Sequence, residues 1–258
     1  MKTLTIYLST AVVALCPLAR ADEPAIVAKA RAYLGAESAL QSVTSVHMAG
    51  TMSTDLDNSG KPVKISVDIV FQKPWQESIT IFEPNRIVHT SLDTYEGSQQ
   101  SQDIASASQT SIDSHKPWRL TILGPEQVMT LRVDILENLW FYRGVLRVGG
   151  TIEDRGPATI EGVATEKVAF VYSPTFVYYR YFDLSSGRLV FSESESGTKL
   201  RESGEITAGG IRFPKRIEVT EILGGKQSTK AYEFDKITVN ESFPSSLFAV
   251  PDLPTPSH

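Results

Sequence analysis

At Val46 the hydrophobic period of this chain drops to two, and it stays near two until Val239 apart from one helical interruption. Val46, Met48 and Gly50 begin a strand, and "KPVKISVDIVF" alternates Val63, Ile65, Val67, Ile69 and Phe71 with Lys64, Ser66, Asp68 and Val70. Side chains two apart share one face of a strand, so the run predicts a half-buried strand. Further strands are predicted over 77–82, 86–93, 162–173, 176–184, 188–195, 200–207, 211–223 and 228–239. Between them stand Asn58-Ser59-Gly60, Glu83-Pro84-Asn85, Ser185-Ser186-Gly187, Ala208-Gly209-Gly210 and Gly224-Gly225-Lys226, the residue types that tight hairpins use. Together they predict an antiparallel meander. The strand 211–219 is one-sided, with Ile211, Phe213, Ile217 and Val219 on one face and Arg212, Arg216 and Glu218 on the other. "FVYYRYF", 176–182, is aromatic on both faces, which predicts cover on both sides there.

Helical period brackets and interrupts this pattern. Asp22 and Glu23 put negative charge at a helix start, Pro24 fits a first turn that needs no N–H, and Ile26, Val27, Ala30, Tyr33 and Leu34 recur at helical spacing before Gly35. Glu37–Val43 reads as a second short helical turn. Residues 124–143 predict a longer helix, opened by Pro125 and Glu126. It carries two adjacent apolar stripes, one of Val128, Leu131, Ile135 and Leu139 and one of Met129, Val133, Leu136 and Trp140. That is too wide for a surface helix with one contact. The stripes suit either plain packing on the sheet or a lid over a cavity. Residues 98–115 hold six Ser and four Gln with scarcely a large apolar group, and are expected to form a mobile polar excursion.

Residues 1–21 read as a cleavable secretory signal: Lys2, a largely apolar run from Leu4 to Leu18, then Ala19-Arg20-Ala21. The run is too short, and too broken by Pro17, to span a bilayer. Acylation of Cys16 is disfavoured because Leu15 precedes it. Cleavage after Ala21 leaves 23 basic against 30 acidic residues, a net charge of −7, and places the chain in the periplasm. That balance argues against nucleic acid or anionic lipid surfaces as partners. The single cysteine leaves with the signal, and disulfides, thiol catalysis and thiolate metal sites leave with it. The remaining length suits one all-β domain over 22–258.

No catalytic constellation stands out, and the chain reads as no enzyme, with no catalytic residue, metal or cofactor expected. The four histidines, His47, His89, His115 and His258, lack paired metal-ligand spacing. His47 and His89 could meet across strands, although single strand histidines mostly satisfy local bonds. No nucleophile elbow appears, and Glu193 and Glu195 sit on one face of a strand as solvated charges. "DLDNSG", 55–60, resembles half a calcium loop, but its twelfth position is Ser66 where a bidentate Glu is required.

"YLGAESALQSVTSVHMAGTM", "KPWQESITIFEPNRI", "YFDLSSGRLV" and the ending "FPKRIEVTE…FDKITVNESFPSSLFAVP" resemble the periplasmic outer-membrane lipoprotein-sorting proteins, the LolA/LolB-like family, over nearly the whole mature chain. The resemblance implies a curved antiparallel half-barrel, mainly β, whose concave apolar face is covered by the N-terminal helix and the inserted helix and accepts acyl chains. It implies a carrier or sensor of acylated lipoprotein or another lipid, monomeric and working with membrane lipoprotein-handling proteins. The candidate cavity residues are Val63, Ile65, Val67, Ile69 and Phe71; Val128, Leu131, Ile135 and Leu139; Phe176, Tyr178 and Phe182; and Ile211, Phe213, Ile217 and Val219. Arg86 is the candidate for the arginine that switches the lid. Two rivals stay open: an envelope scaffold with a filled half-barrel, and a glycan- or lipid-acting enzyme built from carboxylates on distant strands. Two close carboxylates in a cleft, one with a raised pKa, would favour the last.

Overall fold

The computed structural model describes residues 23–56, 62–103 and 118–250. Two short helices, α1 (Ala25–Leu34) and α2 (Glu37–Ser42), lead into six strands: β1 (Ser45–Leu56), β2 (Pro62–Gln72), β3 (Gln76–Glu83), β4 (Arg86–Asp93), β5 (Glu96–Asp103) and β6 (Trp118–Ile122). Helix α3 (Pro125–Trp140) and a 3-10 turn (Gly144–Val148) follow. Seven more strands complete the chain: β7 (Thr151–Ile160), β8 (Val163–Ser173), β9 (Phe176–Asp183), β10 (Leu189–Ser194), β11 (Lys199–Ala208), β12 (Ile211–Leu223) and β13 (Lys226–Val239).

All thirteen form one antiparallel sheet in the order β6-β5-β4-β3-β2-β1-β13-β12-β11-β10-β9-β8-β7. It is two meanders, β1–β6 and β7–β13, joined at a β1–β13 seam. The seam is tight. The register shifts between Ala49 and Gly50, and a side chain at Gly50 would lie 2.1 Å from the Glu233 carbonyl oxygen, so only glycine lets β13 come this close.

The predicted meander, α1, α2 and α3 are present with ends shifted by a few residues, and the architecture is an open, curled α+β half-barrel. Part of the expected polar excursion is ordered: Glu96–Asp103 is strand β5, bonded to β4 and β6. Ladder bonds come from the backbone and need no apolar side chain, which is why a Ser/Gln segment can hold a strand. Residues 104–115 lie outside the described residues, as does most of the "DLDNSG" turn. Strand β7 also escaped the pattern. It is an edge strand with a bulge at Arg155-Gly156, and Pro157 follows it where a missing N–H is tolerated.

Strands β6 and β7 are the opposite edges of the sheet, so the link between them carries α3 over the concave face. Val128, Ile135 and Leu139 of α3 join Val46, Met48, Val67, Phe71, Phe213 and Phe234 in the larger core cluster. A second cluster sets Ile26, Val27 and Ala30 of α1 against Val168, Phe170 and Phe182. Both helices are thus bolted to one face of the sheet.

The convex face is covered too, over β1–β4, by the chain after β13. Asn240 Oδ1 accepts from the Thr44 N–H at 2.7 Å, the Phe243 ring stands edge-on to His47 at 5.5 Å, and His89 hydrogen-bonds the Leu247 backbone. Phe248 is fully buried at the end of this path. His47 and His89, considered as a cross-strand pair, do not meet. His47 lies between Asp68 and Glu241 at 2.9 and 3.0 Å, and His89 contacts Thr80 at 3.0 Å. Among the described residues no helix or strand lies over the convex aromatics of β8–β10, where cover was expected. Tyr181 packs on Phe191 at 5.6 Å, beneath the Lys167 ammonium, and donates to Glu193 at 2.6 Å. Glu193 of β10 accepts from Tyr181, and Glu195, in the turn just after β10, accepts from Tyr179, so both carboxylates are partnered.

A candidate ligand cavity beneath the inserted helix

Between α3 and the concave face lies a cavity of about 640 Å³. Its floor is apolar, built from inward positions of neighbouring strands: Ile69 and Phe71 of β2, Ile79 of β3, Phe213, Ile217 and Val219 of β12, and Phe234 of β13. Phe176 and Tyr178 of β9 form one end. Of the candidate residues, these strand positions, Ile69, Phe71, Phe176, Tyr178, Phe213, Ile217 and Val219, are brought together. Val63, Ile65, Val67, Ile211 and Phe182 have the expected facing but belong to the packed core, the first four in one cluster with Leu40 of α2 and Val128 and Ile135 of α3, and Phe182 in the other with Ile26 and Val27 of α1. Arg86 is not brought to the cavity. It pairs with Glu83 at 2.9 Å across the β3–β4 turn and is substantially exposed.

Helix α3 contributes to the cavity in a way opposite to expectation. Val128, Leu131, Ile135 and Leu139 face the sheet and fill the core, while Met129 of the second stripe is 46% exposed. The cavity is lined instead by Thr130, Asp134, Glu137 and Asn138. Those positions follow i, i+4, i+7 and i+8, one coherent stripe along a helix. A polar helical stripe reads as solvent-facing in sequence, and nothing in its spacing distinguishes bulk water from a cavity.

The strands opposite add more charge. Glu77 of β3 pairs in register with Phe71 of β2 and shares its inward facing. It is 1% exposed, and neither carboxylate oxygen has a hydrogen-bond partner. Burial, reinforced by the neighbouring Asp134, pushes its pKa well above the usual carboxylate range. Burial and then Glu137 raise Asp134 to about 7. Glu202 of β11 is also raised to about 7 by burial, with Arg180 opposing and Glu137 adding to the shift. Glu137 itself is paired with Arg180 and accepts from the Tyr172 hydroxyl. The Arg180 guanidinium lies 4.9 Å from the Phe170 ring and 5.0 Å from the Tyr142 ring. Burial works against its charge, but Glu137 together with Tyr142, Tyr172 and Glu202 outweighs it and raises the pKa. Glu77 was missed in the sequence although it carries a signal there, a charge at an inward position of a strand that otherwise turns Ile79 and Ile81 to the same side.

The cover is locked at one end by a second network that no sequence pattern announced. Arg31 of α1, 4% exposed, donates to the carbonyl oxygens of Trp140, at 2.8 Å, and Phe141 at the C-terminus of α3, and pairs with Glu37 at 2.7 Å. A helix leaves its last carbonyls without internal partners and carries partial negative charge there, so a buried guanidinium satisfies both. Arg143 extends the network to Glu23 at 2.6 Å and Glu37 at 3.1 Å. At this junction Phe141 and Tyr142 both adopt positive φ, 46° and 71°, an arrangement held by packing on Phe213 and Phe182.

The overall fold has counterparts among solved structures. A LolA superfamily protein from Nitrosomonas europaea aligns with a TM-score of 0.52 at 12% identity, covering 88% of this chain and 96% of that one. The fold is LolA-like. An outer membrane lipoprotein-sorting protein domain from Vibrio parahaemolyticus aligns with a TM-score of 0.52 at 9% identity, over 87% of this chain and 94% of that one. A DUF1329 family protein from Desulfovibrio piger aligns with a TM-score of 0.51 at 11% identity, over 87% and 96%. No family model matches the sequence, and no curated protein matches it. The LolA-like half-barrel implied by the sequence resemblance is therefore present as a fold.

Proposed function

We propose that this chain is a non-enzymatic periplasmic carrier or sensor that binds an acylated lipoprotein or another hydrophobic ligand beneath α3. The cavity carries this reading. Its volume of about 640 Å³ falls within the roughly 300–1,000 Å³ of small-molecule sites. Its floor of Ile69, Phe71, Phe213, Ile217 and Phe234 offers apolar surface to a chain, at about 0.8 kcal/mol for each methylene buried. The open volume counts against a filled scaffold. The secretory reading of residues 1–21 supports a periplasmic location, a monomer is expected, and membrane lipoprotein-handling proteins would be the partners.

One observation favours the enzyme reading: Glu77 and Asp134 are carboxyls of raised pKa in one cavity. Acid–base catalysis uses groups whose environments push their pKa values apart. Burial pushes these two in the same direction, which supports the carrier.

Native mass spectrometry of the mature protein, purified gently from periplasm and followed by solvent extraction, tests the carrier. A co-purifying acyl species is expected. An apo mass that also takes up no added acyl probe would overturn the reading. Ile217→Trp, which fills the floor, should abolish uptake by a protein that still melts cooperatively; undiminished uptake would remove β12 from the site.

A further inference from the structure

The cavity is not uniformly apolar, and its polar wall has a specific imbalance. Glu77 points into it from β3 with both carboxylate oxygens unpartnered. Asp134 faces it from α3, central enough for its charge to act on Glu77 of β3, Tyr178 of β9 and Tyr232 of β13. The buried guanidinium on this wall, Arg180, is committed to Glu137. Lys230 and Arg212 also line the cavity, but Lys230 pairs with Glu221 and Arg212 donates to the Tyr33 carbonyl, so two inward carboxyls share one chamber with no cation assigned to them among the described residues.

Taking the carrier reading as its premise, the geometry points to the space between Glu77 and Asp134 as the seat of a primary ammonium group, so that the preferred ligand is an amine-bearing amphiphile. A primary ammonium brings three N–H donors and one positive charge, enough to bond both carboxyls at once. A hydroxyl has one donor and no charge. A quaternary ammonium has the charge and no N–H donor. A carboxylate ligand brings negative charge to a desolvated site already lined by two carboxyls, and offers neither an N–H donor nor a counter-charge to them. The apolar floor beside the pair, Phe71 and Ile79, leaves room for the ligand's chain to run along β2 and β3.

The test uses four probes of equal chain length, octylamine, octanol, octanoate and octyltrimethylammonium, below their aggregation concentrations. Each is titrated into the mature protein by calorimetry at one pH near neutrality. Octylamine is expected to bind about tenfold more tightly than octanol, with octanoate weakest. Glu77→Gln and Asp134→Asn, both close in shape to the native residues, should each collapse the amine-to-alcohol ratio toward one. Equal affinity for all four probes overturns the ammonium seat and leaves the hydrophobic carrier standing. An amine preference that persists in both variants also overturns it, by placing the seat elsewhere. Binding of none of the probes overturns the carrier and the seat together.

Discussion

Among the described residues both faces of β1–β4 are covered, and the candidate ligand cavity lies on the concave one. On the concave side the cover is α3, a cylinder that touches the sheet along one stripe and stands off it on either flank. On the convex side the cover is the chain from Asn240 to Phe248, which binds directly to His47 and His89 and lies flat. A helix packed on a sheet keeps its axis about 10 Å away, so the volume beside it stays open unless large side chains fill it. An extended segment has no such stand-off. The cavity is therefore a product of the shape of the covering element as much as of its chemistry.

That contrast can be broken from either side. The largest effect is expected for Phe248→Ala, which empties a fully buried site under the tail and should cost about 3–5 kcal/mol in denaturant unfolding. Acyl-probe affinity of the folded variant should be unchanged, since the tail and the cavity lie on opposite faces. A parallel loss of affinity would show that the two covers act as one. Arg31→Ala should cost about 2–4 kcal/mol, because it strands the Trp140 and Phe141 carbonyls at the end of α3. Unlike the tail variant, it should hasten hydrogen exchange in α3 and raise probe off-rates. Exchange in α3 no faster than wild type would exclude Arg31 as the latch of the cover.

The smallest effect sharpens the convex side. Hydrogen bonds from Asp68 and then Glu241 raise the pKa of His47 despite partial burial. A histidine with a raised folded pKa contributes its stability fully below the unfolded value of about 6.5, and that contribution is lost as pH rises through the folded value. Exchange protection of residues 240–248 should therefore fall as pH is taken from about 6 to about 8.5, and His47→Gln should flatten the change. A wild-type tail with pH-independent protection would mean that the Asp68–His47–Glu241 contact does not hold it.

Much of the architecture could be read from the chain. Period two, turn residues and the shift to helical spacing located most of the strands and all three helices, because each is encoded within a few consecutive positions. Strand β5 was not legible, since Ser98 and Gln102 are buried by sheet neighbours and no local apolar pattern reports that. The site was half legible. Alternation put Phe71 and Ile217 on an inward face but could not tell floor from core, a distinction set by where α3 happens to rest. Thr130, Asp134, Glu137 and Asn138 were illegible for a deeper reason: a polar stripe reports contact with something other than packed hydrocarbon, and a cavity meets that description as well as solvent does.

The β1–β13 seam has a consequence for how the molecule forms. Val46 pairs with Val239, so the first and last strands must find each other after nearly the whole chain has been released. Each meander can zip from its own hairpins, whose loops are short, whereas the seam closes a very long loop and gains nothing until the ends meet. Joining at the seam is thus expected to be the slow step of folding. Until it happens, the floor on which α3 rests does not exist, because that floor is made of β1, β2, β12 and β13 together.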